Sequence, residues 1–155
     1  SGDTALVKDL MEKLNREGYY TLPESLLAKI QAQFFGGWCS DEKGKQTISR
    51  VYGDFGYLCD PHTAAGWAVA EGYREATGDD TPMVVLSTAS PYKFPEAVLS
   101  ALGEAAPENG FAALERLHQK TAAPVPKNLL GLEHKPRLHT RVIPKDEMLS
   151  CVLGL

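Results

Sequence analysis

The stretch that most constrains the fold reads Met83-Val84-Val85-Leu86-Ser87-Thr88-Ala89-Ser90-Pro91-Tyr92-Lys93-Phe94-Pro95-Glu96. Four apolar residues in a row, two of them β-branched, predict a short strand buried on both faces, as inside a parallel sheet. Polarity then changes abruptly at Ser87, Thr88 and Ser90. In open α/β sheets the carboxyl ends of strands are where ligands sit, because loops and helix N-termini converge there. Pro91 and Pro95 bracket Lys93, and Glu96-Ala97-Val98-Leu99 resumes as a helix with Pro95 suited to its first turn. Hydroxyls, one lysine and a helix start together suit an anion or phosphate. The same residues also suit a plainer role, the hydroxyls capping the strand end and Lys93 solvated. The expected fold class is therefore α/β and helix-rich, with one or a few short strands and a central buried strand near 83–88.

Before that stretch the apolar spacing is helical. Leu6, Val7, Leu10, Met11 and Leu14 share a face from about Thr4 to Glu17, and Gly18 is a natural stop. Thr21 stands three residues before Glu24, the spacing of a capping box, and Leu26, Leu27, Ile30 and Phe34 are expected to form the buried face that follows. Ser40-Asp41-Glu42 opens a third helix whose stripe is Ile48, Val51 and Tyr52. Tyr19, Tyr20 and Phe55 read as core aromatics. Next, Asp60 fits an N-cap and Pro61 the first helical position, which puts His62 and Thr63 in the exposed N–H end of a helix rich in alanine and glycine. A histidine and a threonine there can face a ligand, or can simply be satisfied within a tight turn.

Beyond the central unit, Phe111 to Leu117 reads as a helix, 136–144 as an extended segment suited to a sheet edge, and Lys145 to Leu153 as a terminal helix burying Met148, Val152 and Leu153. Three sections are expected: a helical layer over 1–58, a helix–strand–helix unit with the ligand-facing motifs over 59–105, and a helical tail over 106–155.

Composition excludes several classes. With 155 residues, 43% hydrophobic and 23% charged, the chain is sized and mixed for one globular unit. A formal net charge of -4 without a Lys/Arg cluster argues against a nucleic-acid binder. No apolar run is long enough for a membrane helix. Cys39, Cys59 and Cys151 lack a C-x-x-C spacing and predict buried thiols in a reducing compartment, so a cytoplasmic location without a metal site. The chain starts Ser1-Gly2-Asp3 without methionine, so it is expected to be processed or cut from something longer. There is no phosphate-binding P-loop, G-x-G-x-x-G, G-x-S-x-G or H-E-x-x-H, and His118, His134 and His139 read as surface residues.

At Asp60-Pro61-His62-Thr63-Ala64-Ala65-Gly66 and again at Leu86 to Glu96 the sequence resembles the threonine synthase family. Lys120-Thr121-Ala122-Ala123-Pro124-Val125-Pro126, Lys135-Pro136-Arg137-Leu138-His139 and the helical stretch from Leu6 to Tyr57 are similar to bacterial members. The resemblance spans nearly the whole chain and looks like the C-terminal third of a longer one. It implies a fold-type-II pyridoxal-phosphate enzyme that converts O-phospho-L-homoserine and water into L-threonine and phosphate. It further implies that Thr88 sits beside the pyridine nitrogen, where a hydroxyl leaves the ring neutral and a moderate electron sink. Lys93 becomes a candidate for the substrate phosphate, while His62 and Thr63 match a motif near the same cleft without an assigned role. Ser90 stands where many members carry a histidine.

The resemblance also implies what is missing. No lysine here has the context of the family's Schiff-base lysine, and no glycine- and asparagine-rich phosphate loop is present. No catalytic residue is therefore expected in this chain. It is expected to be inactive alone and to form one wall of a site completed by a missing N-terminal portion. Three other readings stay open: a threonine synthase-like enzyme acting on another phosphorylated amino acid, a stand-alone phosphometabolite-binding module, and a purely structural helical domain.

Overall fold

In the computed structural model, which describes residues 2–154, seven α-helices follow one another: α1 (Thr4–Glu17), α2 (Glu24–Gln31), α3 (Asp41–Phe55), α4 (Pro61–Thr77), α5 (Pro95–Ala101), α6 (Gly110–Thr121) and α7 (Met148–Leu153). Short 3-10 turns cover Pro91–Lys93, Leu132–His134 and Lys145–Glu147. The helix starts are written in side chains. Asp3 accepts from the Leu6 amide at 3.0 Å, Ser40 from Lys43 at 3.2 Å and Asn109 from Phe111 at 2.8 Å. Each such cap is worth about 1 kcal/mol. Gly18, Gly56 and Gly78 close α1, α3 and α4 at φ of 81°, 65° and 70°, a region glycine enters without steric penalty.

The core lies where α3, α4, α5 and α6 meet. α3 packs along α4 and also against α5, which in turn packs on α6. Ile48, Val51, Cys59, Ala64, Val98, Leu99 and Leu117 are fully or almost fully buried there. Tyr92 is driven into the same core, its hydroxyl donating to the Ala123 carbonyl at 2.5 Å. That bond ties the Pro91–Lys93 turn to the end of α6, and burial pushes the Tyr92 phenol pKa up. A loop over 35–39 crosses α4, with Phe35 edge-on to Tyr73 at 5.1 Å. A Cβ on Gly37 would come within 2.5 Å of Val69, so that crossing needs a glycine.

The expected sheet is absent. Among the described residues there is no strand, neither at 83–88 nor at 136–144. An apolar run supplies only the side-chain half of a strand; the other half is a neighbour about 4.8 Å away to complete the hydrogen-bond ladder. Residues 82–89 make no backbone–backbone hydrogen bond among the described residues. The segment instead lies along α4, with Met83 and Val85 turned toward Trp67, Ala70 and Arg74, while Val84 is 87% and Leu86 74% exposed. The described residues are thus helix-rich, without the α/β character that the sequence suggests.

Other departures concern side chains expected to be buried or to cap a helix. Leu27, Ile30 and Phe34 of the α2 region stay exposed, as do Tyr19, Tyr20, Phe55, Met148, Val152 and Leu153. Thr21 does not cap α2, because Pro23 takes the cap position and Glu24 begins the helix. Of the three thiols only Cys59 is buried; Cys39 and Cys151 are partly exposed, and all three are free.

Candidate functional site

Asp60 is the hub of the first motif. It is 0% exposed, and its carboxylate accepts from the His62 amide at 2.9 Å and from the Thr63 hydroxyl in a short hydrogen bond, with the His62 ring Nδ1 at 3.0 Å. Burial alone would raise its pKa, but the hydrogen bonds from Thr63 and His62 outweigh that and hold the carboxyl below its usual range. Pro61 follows because its missing N–H and fixed φ suit the first helical position. The outcome is a buried carboxylate hydrogen-bonded to both residues that open α4 after Pro61.

The two motifs singled out in the sequence meet at this point. The Thr63 hydroxyl lies 3.3 Å from that of Ser87, and the His62 ring packs on Phe94 with centroids 5.0 Å apart. Thr63 also lines a cleft of about 410 Å³ with Tyr57, Trp67, Glu71, Arg74, Met83 and Val85. Within it Trp67 donates to Glu71 at 2.9 Å and Arg50 reaches the same carboxylate at 2.5 Å, so two of its polar side chains are held in place.

The remaining candidates are placed differently. Thr88 is exposed and its hydroxyl makes no hydrogen bond to a described residue. Ser90 caps the following turn, accepting from the Tyr92 amide at 3.3 Å, so its hydroxyl has a local structural task. Lys93 is exposed and lines a separate, open cleft of about 440 Å³ with Tyr92, Glu96, Asn109 and Phe111. Thr63 and Lys93 therefore do not share a cleft within this chain.

A larger hollow of about 640 Å³ lies between α6 and the loop over 125–134, and includes none of the residues chosen from the sequence. His118 lines it without being a plain surface residue: its Nδ1 donates to the Ala123 carbonyl at 2.9 Å, the acceptor Tyr92 also uses. Sequence reasoning missed this Tyr92–Ala123–His118 junction, and the signal for it, an aromatic between two prolines, is faint. No helix of the described residues is long and apolar enough to cross a membrane.

The described residues thus form a helical unit with one buried polar corner at Asp60 and exposed hydroxyls at Ser87 and Thr88. The family model "Threonine synthase, C-terminal" matches residues 63–149, and the chain belongs to that family. It is 37% identical over 122 residues to threonine synthase of Methylobacillus glycogenes, covering 76% of this chain and 25% of that protein. Threonine synthase-like 1 of Homo sapiens is 32% identical over 100 residues, 64% of this chain and 13% of the relative. A crystal structure of PLP-bound threonine synthase from Brucella melitensis superposes with a TM-score of 0.58 at 39% identity, over 74% of this chain and 24% of that one. The chain thus spans a quarter or less of the length of these relatives.

Proposed function

We propose that this chain forms one wall of the active site of a cytoplasmic, pyridoxal-phosphate-dependent threonine synthase, which converts O-phospho-L-homoserine and water into L-threonine and phosphate. The observation that carries the reading is the family match over residues 63–149, which takes in the whole second motif and the first from Thr63 on, together with the likeness to a threonine synthase that binds PLP. The residues present fit one side of that cofactor. Thr88 offers an exposed hydroxyl with no described partner, suited to hydrogen-bonding a neutral pyridine nitrogen. Pyridoxal phosphate supplies the electron sink for carbanions of the amino-acid substrate. The chain's own part is to bind and orient: Thr88 holds the ring, Lys93 on its exposed turn draws the substrate phosphate, and the Asp60-centred corner keeps the wall rigid. The lysine that carries the cofactor and the loop that holds its phosphate lie, on this reading, outside these residues.

The test is phosphate release from O-phosphohomoserine by two proteins, this chain alone and this chain fused to the cofactor-holding portion of a threonine synthase. The reading expects no turnover by the first and turnover by the second. In the fused enzyme Thr88→Ala lowers kcat on the order of 100-fold, the lower end of what losing one preorganised active-site hydrogen bond costs. Full activity of the Thr88→Ala enzyme would remove the role given to that hydroxyl. Tight binding of phosphohomoserine by the isolated chain, measured by calorimetry, would favour a stand-alone binding module.

A further inference from the structure

A neutral histidine has one N–H and one lone pair, and which nitrogen carries the proton is set by what the other meets. His62 Nδ1 lies 3.0 Å from an ionised Asp60 oxygen that is fully buried and can only accept. The Nδ1 atom must therefore carry the proton. Its side chain is otherwise 64% exposed, and Nε2 has no hydrogen-bond partner among the described residues. The ring is held a second time by its packing on Phe94, next to Lys93. A ring fixed from two sides, with a lone pair on its open nitrogen, is arranged as a proton acceptor.

We propose that Asp60 is a positioning residue that locks His62 as the Nδ1–H tautomer, and that His62 Nε2 accepts a proton from the water consumed in the reaction. This rests on the reading given above. One O–H bond of the water breaks: its proton goes to the Nε2 lone pair and its oxygen bonds to the substrate carbon next to the amino-bearing one. Phosphate leaves the adjacent terminal carbon with the C–O electron pair, and the hydrogen lost from the first carbon is made up by a proton gained at the second. The imidazolium so formed keeps its Nδ1–H on Asp60, whose carboxylate stays ionised and offsets the new charge. The proton then leaves to solvent.

Two variants isolate this arrangement, because Ser and Asn cap helices as well as Asp does. Asp60→Ser keeps a cap but is too short to reach the ring, whereas Asp60→Asn keeps an oxygen acceptor for Nδ1–H. Long-range ¹⁵N–¹H NMR of the 155-residue chain reads the tautomer of neutral His62 directly, with His118 as an internal reference. The expected result is Nδ1–H in the wild type and in Asp60→Asn, lost in Asp60→Ser, with His118 unchanged in all three. In the fused enzyme His62→Gln, a change at an exposed side chain, lowers kcat on the order of 100-fold with KM nearly unchanged. There Asp60→Ser loses about 10-fold and Asp60→Asn recovers most of it. An Nε2–H ring in the wild-type chain overturns the role of Asp60, and an undiminished kcat in His62→Gln overturns that of His62. A wild-type fusion that releases no phosphate defeats the reading of the reaction itself, while the NMR result stands or falls separately.

Discussion

Asp60 and Leu86 exchange the places their side chains ordinarily take. The carboxylate is fully buried, and the leucine is 74% exposed. The difference lies in partners. Asp60 finds three hydrogen-bond donors within three residues of itself, so its burial leaves no charge uncompensated. Leu86 belongs to a segment whose natural complement is another backbone, and none of the described residues provides one. Burial thus follows the supply of partners, local in one case and remote in the other, more closely than it follows polarity.

The sharpest way to break this comparison is a pair of leucine truncations. Leu99, fully buried between helices, should lose about 2–5 kcal/mol of unfolding free energy as Leu99→Ala. Leu86→Ala should change it by less than about 0.5 kcal/mol. Urea denaturation of the two variants measures both. Equal losses would mean that 83–88 is packed after all.

A smaller effect is expected at the polar corner. Asp60→Ala removes the cap of α4 and the acceptor of the Thr63 hydroxyl, and should cost about 2 kcal/mol in the same experiment. Tyr92→Phe removes the bond to the Ala123 carbonyl and should cost about 1 kcal/mol while leaving the turn buried. If Tyr92→Phe proves the costlier of the two, the hub of this region is the Tyr92–Ala123–His118 junction and not Asp60.

The smallest effect is one of pH. Because the Asp60 carboxyl sits below its usual range when folded, its stabilisation is fully present above the unfolded value of about 4 and is lost as pH falls through the folded value. Glu104 adds in the same direction, since Lys120 and then Arg116 hydrogen-bond it and lower its pKa. Urea midpoints followed from pH 7 to pH 2 should stay level at first and then decline. In Asp60→Asn the decline should be shallower, and an unchanged slope would show that Asp60 does not titrate as described.

What the sequence disclosed was whatever is decided locally. Asp60-Pro61, Ser40, Gly18 and Gly56 act within a turn of their own position, and each marks a helix end where the structure has one. The helix at Pro95 follows from the same short-range signals, whereas the contact of Thr63 with Ser87, 24 residues apart, has no local signal. The reading failed where the outcome depends on distant chain. Met83-Val84-Val85-Leu86 has the composition of a buried strand but not the neighbour, and Leu27, Ile30 and Phe34 have a helical stripe with no surface to cover it. Thr88 and Lys93 were visible as chemistry, yet their spacing gave no hint that Lys93 and Thr63 line different clefts.

The central claim is that this chain offers a hydroxyl wall to a cofactor that other residues anchor. It is tested most directly by incubating the 155-residue chain with pyridoxal phosphate, reducing with borohydride and mapping labelled lysines by mass spectrometry, alongside an assay of phosphate release from phosphohomoserine. The account predicts no lysine labelled to completion and no phosphate released. One lysine carrying the cofactor stoichiometrically, with phosphate released by the isolated chain, would contradict it.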